Sequence, residues 1–431
     1  MSQNTNTLTR NINIGTLGHV DHGKTTLTAA LWTYFGGVQK DIKDVDNHKE
    51  ERERGITINT RTVQYTVTGT DASGTNMTVI CSHVDCPGHA DFIKNMITGA
   101  SKLDVTLLVI SAFDGPQAQT KEHIKIASII GIKYFIVILN KVDQIPAEDL
   151  EDFVDLVKSE VEDLLVSNQI LKENITFVKI SATLALKEVQ SHETPTAYGV
   201  LALKEIAQRI VNVPPIDYTE KNNMPFRMTI EDTYSITGRG TVVAGKVDCG
   251  TLKLGETLEL ITKKKTMIVT VTSMECFNKQ RTVISTGDNA ALLVKVERSD
   301  VERGSILCKK GTVKLVHYAK VQLYLFPPED GGRKTAVGVG YIPNTFVGPR
   351  ETPTEILQTE TELLEPGSTS ICYIACLSSM PFINGIKMII REGNSTIAVA
   401  LVIEGYNECP VDVKGRKSTI LQVIKQEPLV K

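Results

Sequence analysis

A glycine-rich phrase near the start of the chain has the residue types and spacing of a phosphate-binding loop. Gly18, Gly23, Lys24 and Thr25 fit the pattern G-x-x-x-x-G-K-[ST], directly after the strand-like run Ile12–Leu17. Glycines let backbone N–H groups approach phosphate oxygens, the lysine reaches the β- and γ-phosphates, and the threonine hydroxyl ligates Mg²⁺. The helix predicted to follow adds its positive dipole end, which favours this interpretation over an ordinary glycine turn. The predicted phosphate site comprises Gly18, His19, Val20, Asp21, His22, Gly23, Lys24, Thr25 and Thr26.

A second motif follows the apolar run Met77–Val84. Asp85 ends that run, where a carboxylate can hold Mg²⁺ through water, and Gly88 can offer a backbone N–H to the γ-phosphate. The same stretch has an alternative interpretation as a zinc site, because it contains four residues with metal-ligand spacing: Cys81, His83, Cys86 and His89. Two of these four lie on a predicted strand, and the nucleotide motif already explains the turn, so we favour the nucleotide interpretation.

A third motif predicts the choice of base. Asn140, Lys141 and Asp143 follow the strand-like run Tyr134–Leu139, at the carboxyl end where ligands bind in open α/β sheets. The Asp143 carboxylate matches the N1–H and N2–H₂ donors of guanine, which adenine lacks. Ser181–Ala182 follows another strand-like run and can place a backbone N–H at guanine O6. A surface turn is the alternative for each motif alone, but their order and positions together predict binding of GTP and GDP with Mg²⁺.

The composition limits the classes of protein to which the chain can belong. Its 431 residues exceed one ordinary domain, and 41% hydrophobic with 23% charged residues allows buried cores. With a formal net charge of −3, any nucleic-acid partner must bind through a local basic patch. No apolar run reaches the roughly 18–20 residues of a membrane helix, and the polar start does not resemble a secretory signal. The eight dispersed cysteines favour reduced thiols in a cytoplasmic protein over a disulfide framework.

Periodicity divides the chain into an α/β part and β-rich parts. Strand-like runs such as Val105–Ile110 alternate with helices, which predicts a doubly wound α/β domain over residues 10–213. One predicted helix carries an apolar stripe at helical spacing: Leu150, Phe153, Val154, Val157, Val161, Leu164 and Leu165. After Pro214-Pro215, short strand-like runs separated by turn residues predict two β domains, over residues 214–311 and 312–405. The remaining residues, 406–431, form a polar C-terminal extension with no clear period.

Together these motifs resemble the translational GTPases of the elongation factor Tu family. Gly15–Thr26 is similar to the first motif of the family nearly letter for letter, and Glu51–Thr60 looks like its first switch. Asp85–Asp91 and Lys94–Ala100 look like the second switch and its helix. The resemblance covers residues 10 to about 405, is densest to about residue 260, and favours the bacterial-type branch because of the phrase His22–Thr25.

Phrases in the β-rich parts also resemble the family. Pro225–Asp232 and Gly238–Val243 look like the opening of its second domain. Gly331–Arg333 and Arg391–Gly393 are recognisable in the third, which is the more divergent part of the chain. The resemblance implies a P-loop GTPase domain followed by two β-barrels.

The resemblance also implies catalytic roles. Thr57 would close over Mg²⁺ and the γ-phosphate, and His89 would orient the attacking water. Val20 and Ile56 would form an apolar gate that keeps His89 away until the ribosome docks. Because this hydrolysis depends mainly on positioning and electrostatics, withholding one positioning residue keeps the intrinsic rate slow. The implied metal ligands are Thr25, Thr57 and Asp85.

Three partners follow from the resemblance: aminoacyl-tRNA, the ribosome and a nucleotide-exchange factor. The family holds the aminoacyl end of a tRNA between its first two domains. The implied tRNA contacts are Lys94, Asn95, Glu231, Asp232, Tyr234 and Asn289. The helix expected to contact an exchange factor carries Gln119, Lys121, Glu122 and His123, for which a solvated helix face is the alternative.

Several residues depart from the family pattern at the expected tRNA contacts. Thr62 replaces a His, Asn278 an Arg, Ala244 a Thr and Phe92 a Tyr. Tyr341–Thr345 also departs from the usual phrase of the third domain, and the chain has an inserted stretch near Pro349–Pro366. Loss of an arginine at a phosphate contact removes positioning charge. In the C-terminal extension, Lys414, Arg416 and Lys417 could supply a new basic contact, with a solvated tail as the alternative.

From these residues we expect a monomeric, cytoplasmic translation elongation factor without a membrane partner. It would carry aminoacyl-tRNA to the ribosomal A site as a GTP complex and release it on hydrolysis, when the switch loops are freed. One alternative is a diverged paralogue that acts as a GTP-dependent switch on another partner. A second alternative is a GTPase subunit of sulfate activation, which the phrases Asn59-Thr60 and Gly238–Val243 disfavour.

Overall fold

The computed structural model describes residues 7–36, 61–87, 103–236, 238–262, 265–276, 279–393, 395–412 and 419–424. Within these ranges the chain divides into two units, Met1–Ile216 and Asp217–Lys431. A group of sequence-predicted functional residues lies outside the described ranges: Ile56, Thr57, Gly88, His89, Lys94 and Asn95. The same holds for Phe92 and Asn278 and for the basic residues of the extension, Lys414, Arg416 and Lys417.

A six-stranded sheet forms the centre of the first unit. Its strands are β1 (Leu8–Leu17), β2 (Arg61–Thr70), β3 (Asn76–Asp85), β4 (Val105–Ser111), β5 (Tyr134–Asn140) and β6 (Ile175–Lys179). Their order across the sheet is β2-β3-β1-β4-β5-β6; β2 runs antiparallel to β3, and the other pairs are parallel. Every residue of β4 is buried, as a sheet covered on both faces requires. The parallel strands end at one edge, so the loops that follow them meet there.

Helices between the strands cover this sheet. In the described part of the unit they are α1 (Lys24–Gly36), α2 (Ala118–Ile130), α3 (Leu150–Ser167), α4 (Ala182–Ser191) and α5 (Val200–Asn212). One apolar cluster joins the sheet to α1, α4 and α5 through buried residues such as Leu27, Leu186 and Leu203. The apolar stripe predicted for α3 includes two residues that are not buried: Phe153 is 37% exposed and Leu164 is only half-buried. Phe153 instead stacks on Phe113 with ring centroids 6.2 Å apart.

The second unit begins with the short helix α6 (Thr219–Asn222), and a β-barrel follows it. Its strands are β7 (Arg227–Thr229), β8 (Asp232–Ile236), β9 (Gly240–Cys249), β10 (Thr251–Lys253), β11 (Thr257–Ile261), β12 (Thr266–Cys276), β13 (Lys279–Gln280), β14 (Val283–Ser285), β15 (Asn289–Val294) and β16 (Ile306–Cys308). Pairing in the order β11-β16-β7-β9-β15-β12 returns to β11 and closes the ring. Along β9 buried and half-buried residues alternate, so one face of that strand lines the core and the other faces outward.

A second closed barrel follows. Its region contains β17 (Val316–Leu325), β18 (Val337–Gly338), β19 (Asn344–Val347), β20 (Arg350–Thr359), β21 (Leu363–Leu364), β22 (Thr369–Met380), β23 (Lys387–Glu392) and β24 (Ser395–Tyr406). The ring order is β17-β22-β20-β19-β23-β24. Most of the stretch Pro349–Pro366 forms β20, so it is a part of the barrel wall. The predicted fold class, an α/β GTPase domain followed by two β-barrels, is confirmed.

The C-terminal extension is more ordered than its sequence indicates. A helix of six residues, α7 (Thr419–Ile424), packs on the outer side of β22. Ile420 and Leu421 are 3% and 5% exposed, in a cluster that also contains Tyr318 and Leu357 of the barrel. A segment of under two turns is too short to show a helical period, and burial of these two side chains stabilises it.

All eight cysteines are free thiols. Seven are buried, and only Cys409 is half-exposed. Burial raises the pKa of Cys276, Cys372 and Cys376 to about 12.

Candidate nucleotide-binding site

The phosphate loop connects β1 to α1 and has a backbone that only certain residues allow. Asp21 and Gly23 have φ values of 60° and 92°, in the left-handed region that glycine adopts without strain. A Cβ atom at Gly23 would lie 2.2 Å from Nδ2 of Asn140, so a side chain there would displace a neighbouring loop. The loop is therefore shaped by its glycine and by contact with the residue that follows β5.

Lys24 is a buried cation at the start of α1. It is 6% exposed, and its Nζ donates to the carbonyl oxygen of His19 at 2.6 Å. Burial removes much of the hydration of the ammonium group and so lowers its pKa to about 8. The neighbouring His22 is 1% exposed, and burial lowers its pKa to about 4, so its ring is neutral. A buried ammonium beside the N-terminus of a helix fits the phosphate chain of a nucleotide.

Asp85 supplies the oxygen donors that a hard cation requires. Its side chain is fully buried at the end of β3. It accepts hydrogen bonds from the hydroxyls of Thr16 (2.5 Å), Thr25 (2.8 Å) and Thr28 (3.2 Å). Burial raises the pKa of Asp85, although these hydrogen bonds and the charge of Lys24 act in the opposite direction. A carboxylate oxygen within 2.8 Å of a hydroxyl is a donor set that suits Mg²⁺.

Asn140 joins the phosphate loop to the loop after β6. It is 3% exposed; its Nδ2 donates to the carbonyl oxygen of His22 and its Oδ1 accepts from the backbone N–H of Ala182, both at 2.8 Å. Ser181 caps α4, because its Oγ accepts from the backbone N–H of Leu184 at 3.2 Å. The predicted base-binding residues therefore meet at one edge of the sheet.

Asp143 is exposed in a short 3-10 turn that follows Lys141, so its carboxylate is accessible to a base. Lys141 has a left-handed φ of 62°, and its Nζ lies 3.9 Å from a carboxylate oxygen of Asp114. The turn thus carries one accessible acceptor at the position where the motif predicts guanine recognition.

Helix α2 contacts the phosphate loop directly. Oε1 of Gln119 accepts a hydrogen bond from the backbone N–H of Val20 at 3.2 Å. One turn later, Nδ1 of His123 accepts from the backbone N–H of Gly18 at 3.1 Å. His123 is 1% exposed, so it is not part of a solvated helix face. Any displacement of α2 changes both contacts to the loop.

The sequence motifs assign a role to Thr25 but none to Thr16 and Thr28, the other two hydroxyl residues that surround Asp85. Thr16 and Thr28 are fully buried, and the signal that identifies Thr16 is a polar residue inside an apolar strand. His83, considered above as a metal ligand, lies 3.0 Å from the hydroxyl of Tyr65 and 3.4 Å from the hydroxyl of Thr28. Burial lowers its pKa to about 3. Both ring nitrogens thus face protein hydroxyls, and the described residues contain no group of three or more metal-ligating side chains.

Two family models match the chain. Residues 9–222 match the model described as Elongation factor Tu GTP binding domain, and residues 240–308 match Elongation factor Tu domain 2. The chain belongs to the translational GTPases. The first domain indicates a GTPase and implies binding of GTP and GDP, for which Mg²⁺ is usual in such enzymes. The two matched domains support a GTP-dependent translation factor. Among the described helices, none has the length and apolar character needed to cross a membrane.

The second domain of this translational GTPase collects predicted tRNA-contacting residues on one surface. Strand β8 pairs with β9, and β9 pairs with β15. Asp232 lies opposite Ala244, and Asn289 lies opposite Lys246 two residues further along β9. Because side chains alternate along a strand, these residues and Tyr234 share the outward face. We call this outward face of β8, β9 and β15 the barrel face.

The barrel face carries an exposed aromatic ring together with apolar side chains such as Ile236, which is 41% exposed. Tyr234 is 57% exposed, and Asp232 is also exposed. The backbone N–H of Glu231 donates to the carbonyl oxygen of Ala244 at 2.8 Å, which fixes the start of β8. Ala244, whose side chain has no hydroxyl, lies at the centre of the barrel face. Thr62, another departure from the family pattern, is exposed on β2 of the first unit.

In the third domain, the two phrases that resemble the family come together. The guanidinium group of Arg333 forms an ion pair with Glu392 and lies 4.8 Å above the ring of Tyr341. Its Nη1 also donates to the hydroxyl of Tyr341 at 3.0 Å. Burial raises the pKa of Tyr341 to about 12. The phrase Tyr341–Thr345 is thus anchored at its first residue despite its unusual sequence.

Proposed function

We propose that this translational GTPase is an elongation factor that delivers aminoacyl-tRNA to the ribosomal A site as a GTP complex. The observation that carries the proposal is the barrel face, where Asp232, Tyr234 and Asn289 share one surface. The aminoacylated end of a tRNA is single-stranded and presents an adenine ring, a ribose and an ester. Such ends are recognised by stacking on aromatic rings and by hydrogen bonds to polar side chains. An exposed tyrosine on a surface that also carries a carboxylate and an amide suits both kinds of contact.

The nucleotide site would control when the cargo is held. Lys24 and the amides of the phosphate loop bind the phosphates, and Asp143 selects guanine. Thr25 and Asp85, with Thr57, would hold Mg²⁺, which neutralises the developing phosphate charge when bound. In this proposal His89 orients the attacking water, and Val20 and Ile56 restrain it until the ribosome docks. Loss of the γ-phosphate then frees the switch segments and releases the tRNA.

We also propose that α2 receives a nucleotide-exchange factor. The support is the pair of hydrogen bonds from the phosphate loop to Gln119 and His123. A partner that moves α2 would withdraw both acceptors and loosen the loop. Replacing Gln119 and His123 by leucine should therefore accelerate release of GDP without any partner, measured with a fluorescent GDP analogue. An unchanged release rate would contradict this part of the proposal.

The decisive experiment measures protection of the aminoacyl ester. Charged tRNA is incubated with micromolar protein and GTP or GDP, and the hydrolysis of the ester is followed with time. We expect protection with GTP and none with GDP. Tyr234→Ala should weaken binding about tenfold, since a stacked base contributes roughly 1–3 kcal/mol, whereas Tyr234→Phe should retain most of it.

Leu254→Ala provides a matched control, because Leu254 is an apolar residue of the same barrel that is 43% exposed. It lies in the turn between β10 and β11, on none of the three strands of the barrel face, and its removal should leave protection unchanged. Equal losses in Tyr234→Ala and Leu254→Ala would show that the barrel face has no special role.

One observation favours the second candidate, a paralogue that switches on another partner. Ala244 removes a hydroxyl from the centre of the barrel face, between Asp232 and Ala291 on the neighbouring strands. If the protein hydrolyses GTP but gives no protection at micromolar concentration, this second candidate is supported. Restoration of protection by Ala244→Thr would then identify that residue as the cause.

A further inference from the structure

Glu188 is a buried carboxylate of α4 that belongs to none of the nucleotide motifs. It is 2% exposed and accepts three hydrogen bonds. The donors are Oγ1 of Thr196 at 2.5 Å, the backbone N–H of Thr196 at 3.2 Å and the backbone N–H of Val200 at 2.7 Å. Burial acts to raise the pKa of Glu188, but these hydrogen bonds outweigh it and hold the pKa below its usual value. The carboxylate is therefore charged at neutral pH and fastens the turn Thr196–Val200 to α4.

Gly199 shows how closely this turn approaches the carboxylate. A Cβ atom on Gly199 would lie 2.1 Å from Oε2 of Glu188, far inside van der Waals contact. Both carboxylate oxygens of Glu188 thus lie against the backbone of Gly199 and Val200. A side chain at Gly199 would push the carboxylate out of this position.

The turn Thr196–Val200 contacts Ser181–Ala182, the residues predicted to reach guanine O6. The carbonyl oxygen of Tyr198 accepts a hydrogen bond from the backbone N–H of Ser181 at 2.8 Å. On the other side, Asn140 accepts from the backbone N–H of Ala182 at 2.8 Å. Ser181 and Ala182 are each 1% exposed, so the peptide between them is held from two sides inside the protein.

We propose that Glu188 is a positioning residue for guanine recognition. By fixing the turn Thr196–Val200, it sets the carbonyl of Tyr198, and that carbonyl holds Ser181–Ala182 where a backbone N–H can reach guanine O6. The inference rests on the proposed base site and extends it to a residue that does not touch the nucleotide. In the proposed base site, Ser181–Ala182 binds guanine O6 and Asp143 binds the N2 amino group. Loss of Glu188 should therefore weaken the contact at O6 and leave the contact at N2 intact.

The test uses three nucleotides that separate these contacts. GDP has both groups, 6-thio-GDP carries sulfur, a weaker acceptor, in place of O6, and IDP lacks the N2 amino group. Dissociation constants are measured for wild type, Glu188→Ala and Gly199→Ala by competition with a fluorescent GDP analogue. We expect the affinity for GDP to fall about tenfold in both variants, with a much smaller fall for 6-thio-GDP. The ratio of GDP to IDP affinities should stay within about twofold of wild type.

Glu193→Gln is the matched control, since Glu193 lies in the same connection between α4 and α5 but is exposed and pairs only with Lys187 among the described residues, at 3.2 Å. It should leave all three affinities unchanged. The conservative variant Glu188→Gln retains one acceptor oxygen and should lie between Glu188→Ala and wild type. If Glu188→Ala does not fold, Thr196→Val removes only the hydroxyl donor and provides the same comparison.

Two other outcomes are distinguishable. Equal losses for GDP, 6-thio-GDP and IDP would mean that Glu188 only stabilises the domain, which overturns the positioning role. A wild-type protein that does not prefer GDP to either analogue would instead contradict the proposed base site itself.

Discussion

The substitution Asn140→Ala tests whether the phosphate loop and the base loop form one preorganised site. The side chain of Asn140 makes two hydrogen bonds of 2.8 Å, one to the His22 carbonyl oxygen and one from the Ala182 N–H. Both residues that it joins are 1% exposed. After truncation, neither backbone group can turn to bulk water without moving its loop.

The size of the effect follows from this burial. A typical net hydrogen bond contributes about 1 kcal/mol, and a buried polar group left without a partner costs about 1–3 kcal/mol. At the lower part of that range, about 1–2 kcal/mol for each of the two groups, the loss is about 2–4 kcal/mol in the nucleotide-binding arrangement, since the nucleotide itself must then order the loops. That range corresponds to a decrease in GDP affinity of about 30- to 1,000-fold.

The affinity is measured from association and dissociation of a fluorescent GDP analogue, with urea unfolding as a separate measure of stability. Asn168→Ala is the control, because Asn168 also donates one side-chain hydrogen bond, to the carbonyl oxygen of Leu164 at 2.8 Å, but at the end of α3. It should cost about 1 kcal/mol of stability and leave GDP affinity unchanged. A decrease of less than about threefold in Asn140→Ala would refute the reasoning, since the two loops would then be ordered without the bridge.

Three further predictions concern the loop, the tail and pH. Gly23→Ala should reduce GDP affinity at least about tenfold, by strain and by collision, whereas Gly74→Ala, at a φ of 84° with open space around it, should not change nucleotide binding. Ile420→Ala should lower the free energy of unfolding of the second unit by about 2–4 kcal/mol in urea titrations, and the 37% exposed Val423→Ala by much less; equal effects would contradict the packing of α7. The pKa of Glu188 is lowered on folding, so its stabilisation is present above the unfolded pKa of about 4.3 and is lost as pH falls through the folded pKa. The stability difference between wild type and Glu188→Gln should therefore narrow as pH falls from 7 to below 4, and a constant difference would contradict the charge assignment.

The convergence of the described motif residues was predictable because they lie in short contiguous motifs at the ends of apolar strands. A motif such as Gly18–Thr25 needs no tertiary contact to be recognised, and the parallel order of the sheet brings the motifs to one edge. The barrel face could be named residue by residue from the resemblance. The pairing of β8 and β15 with β9 places these residues on one surface, and that pairing could be seen only in the structure.

Contacts between distant parts of the chain could not be predicted from the sequence. Thr16 and Asp85 are 69 residues apart, and their hydrogen bond depends on the parallel pairing of β1 with β3. The role of Glu188 depends on a turn that has no motif of its own. For Phe153, helical periodicity identified an apolar face but not the width of the surface that covers it.

The burial of the cysteines gives this protein intrinsic reporters of its own unfolding. A thiol reacts as its thiolate. In the folded chain seven of the eight thiols are buried, and burial also raises the pKa of Cys276, Cys372 and Cys376. An alkylating reagent added to native protein should therefore modify Cys409 first, and the others only during opening of the structure around them. Cys81 and Cys86 report on the GTPase domain, while Cys249 and those that follow it report on the barrels. The rate of modification at each position measures the local opening free energy of one domain while the rest stays folded.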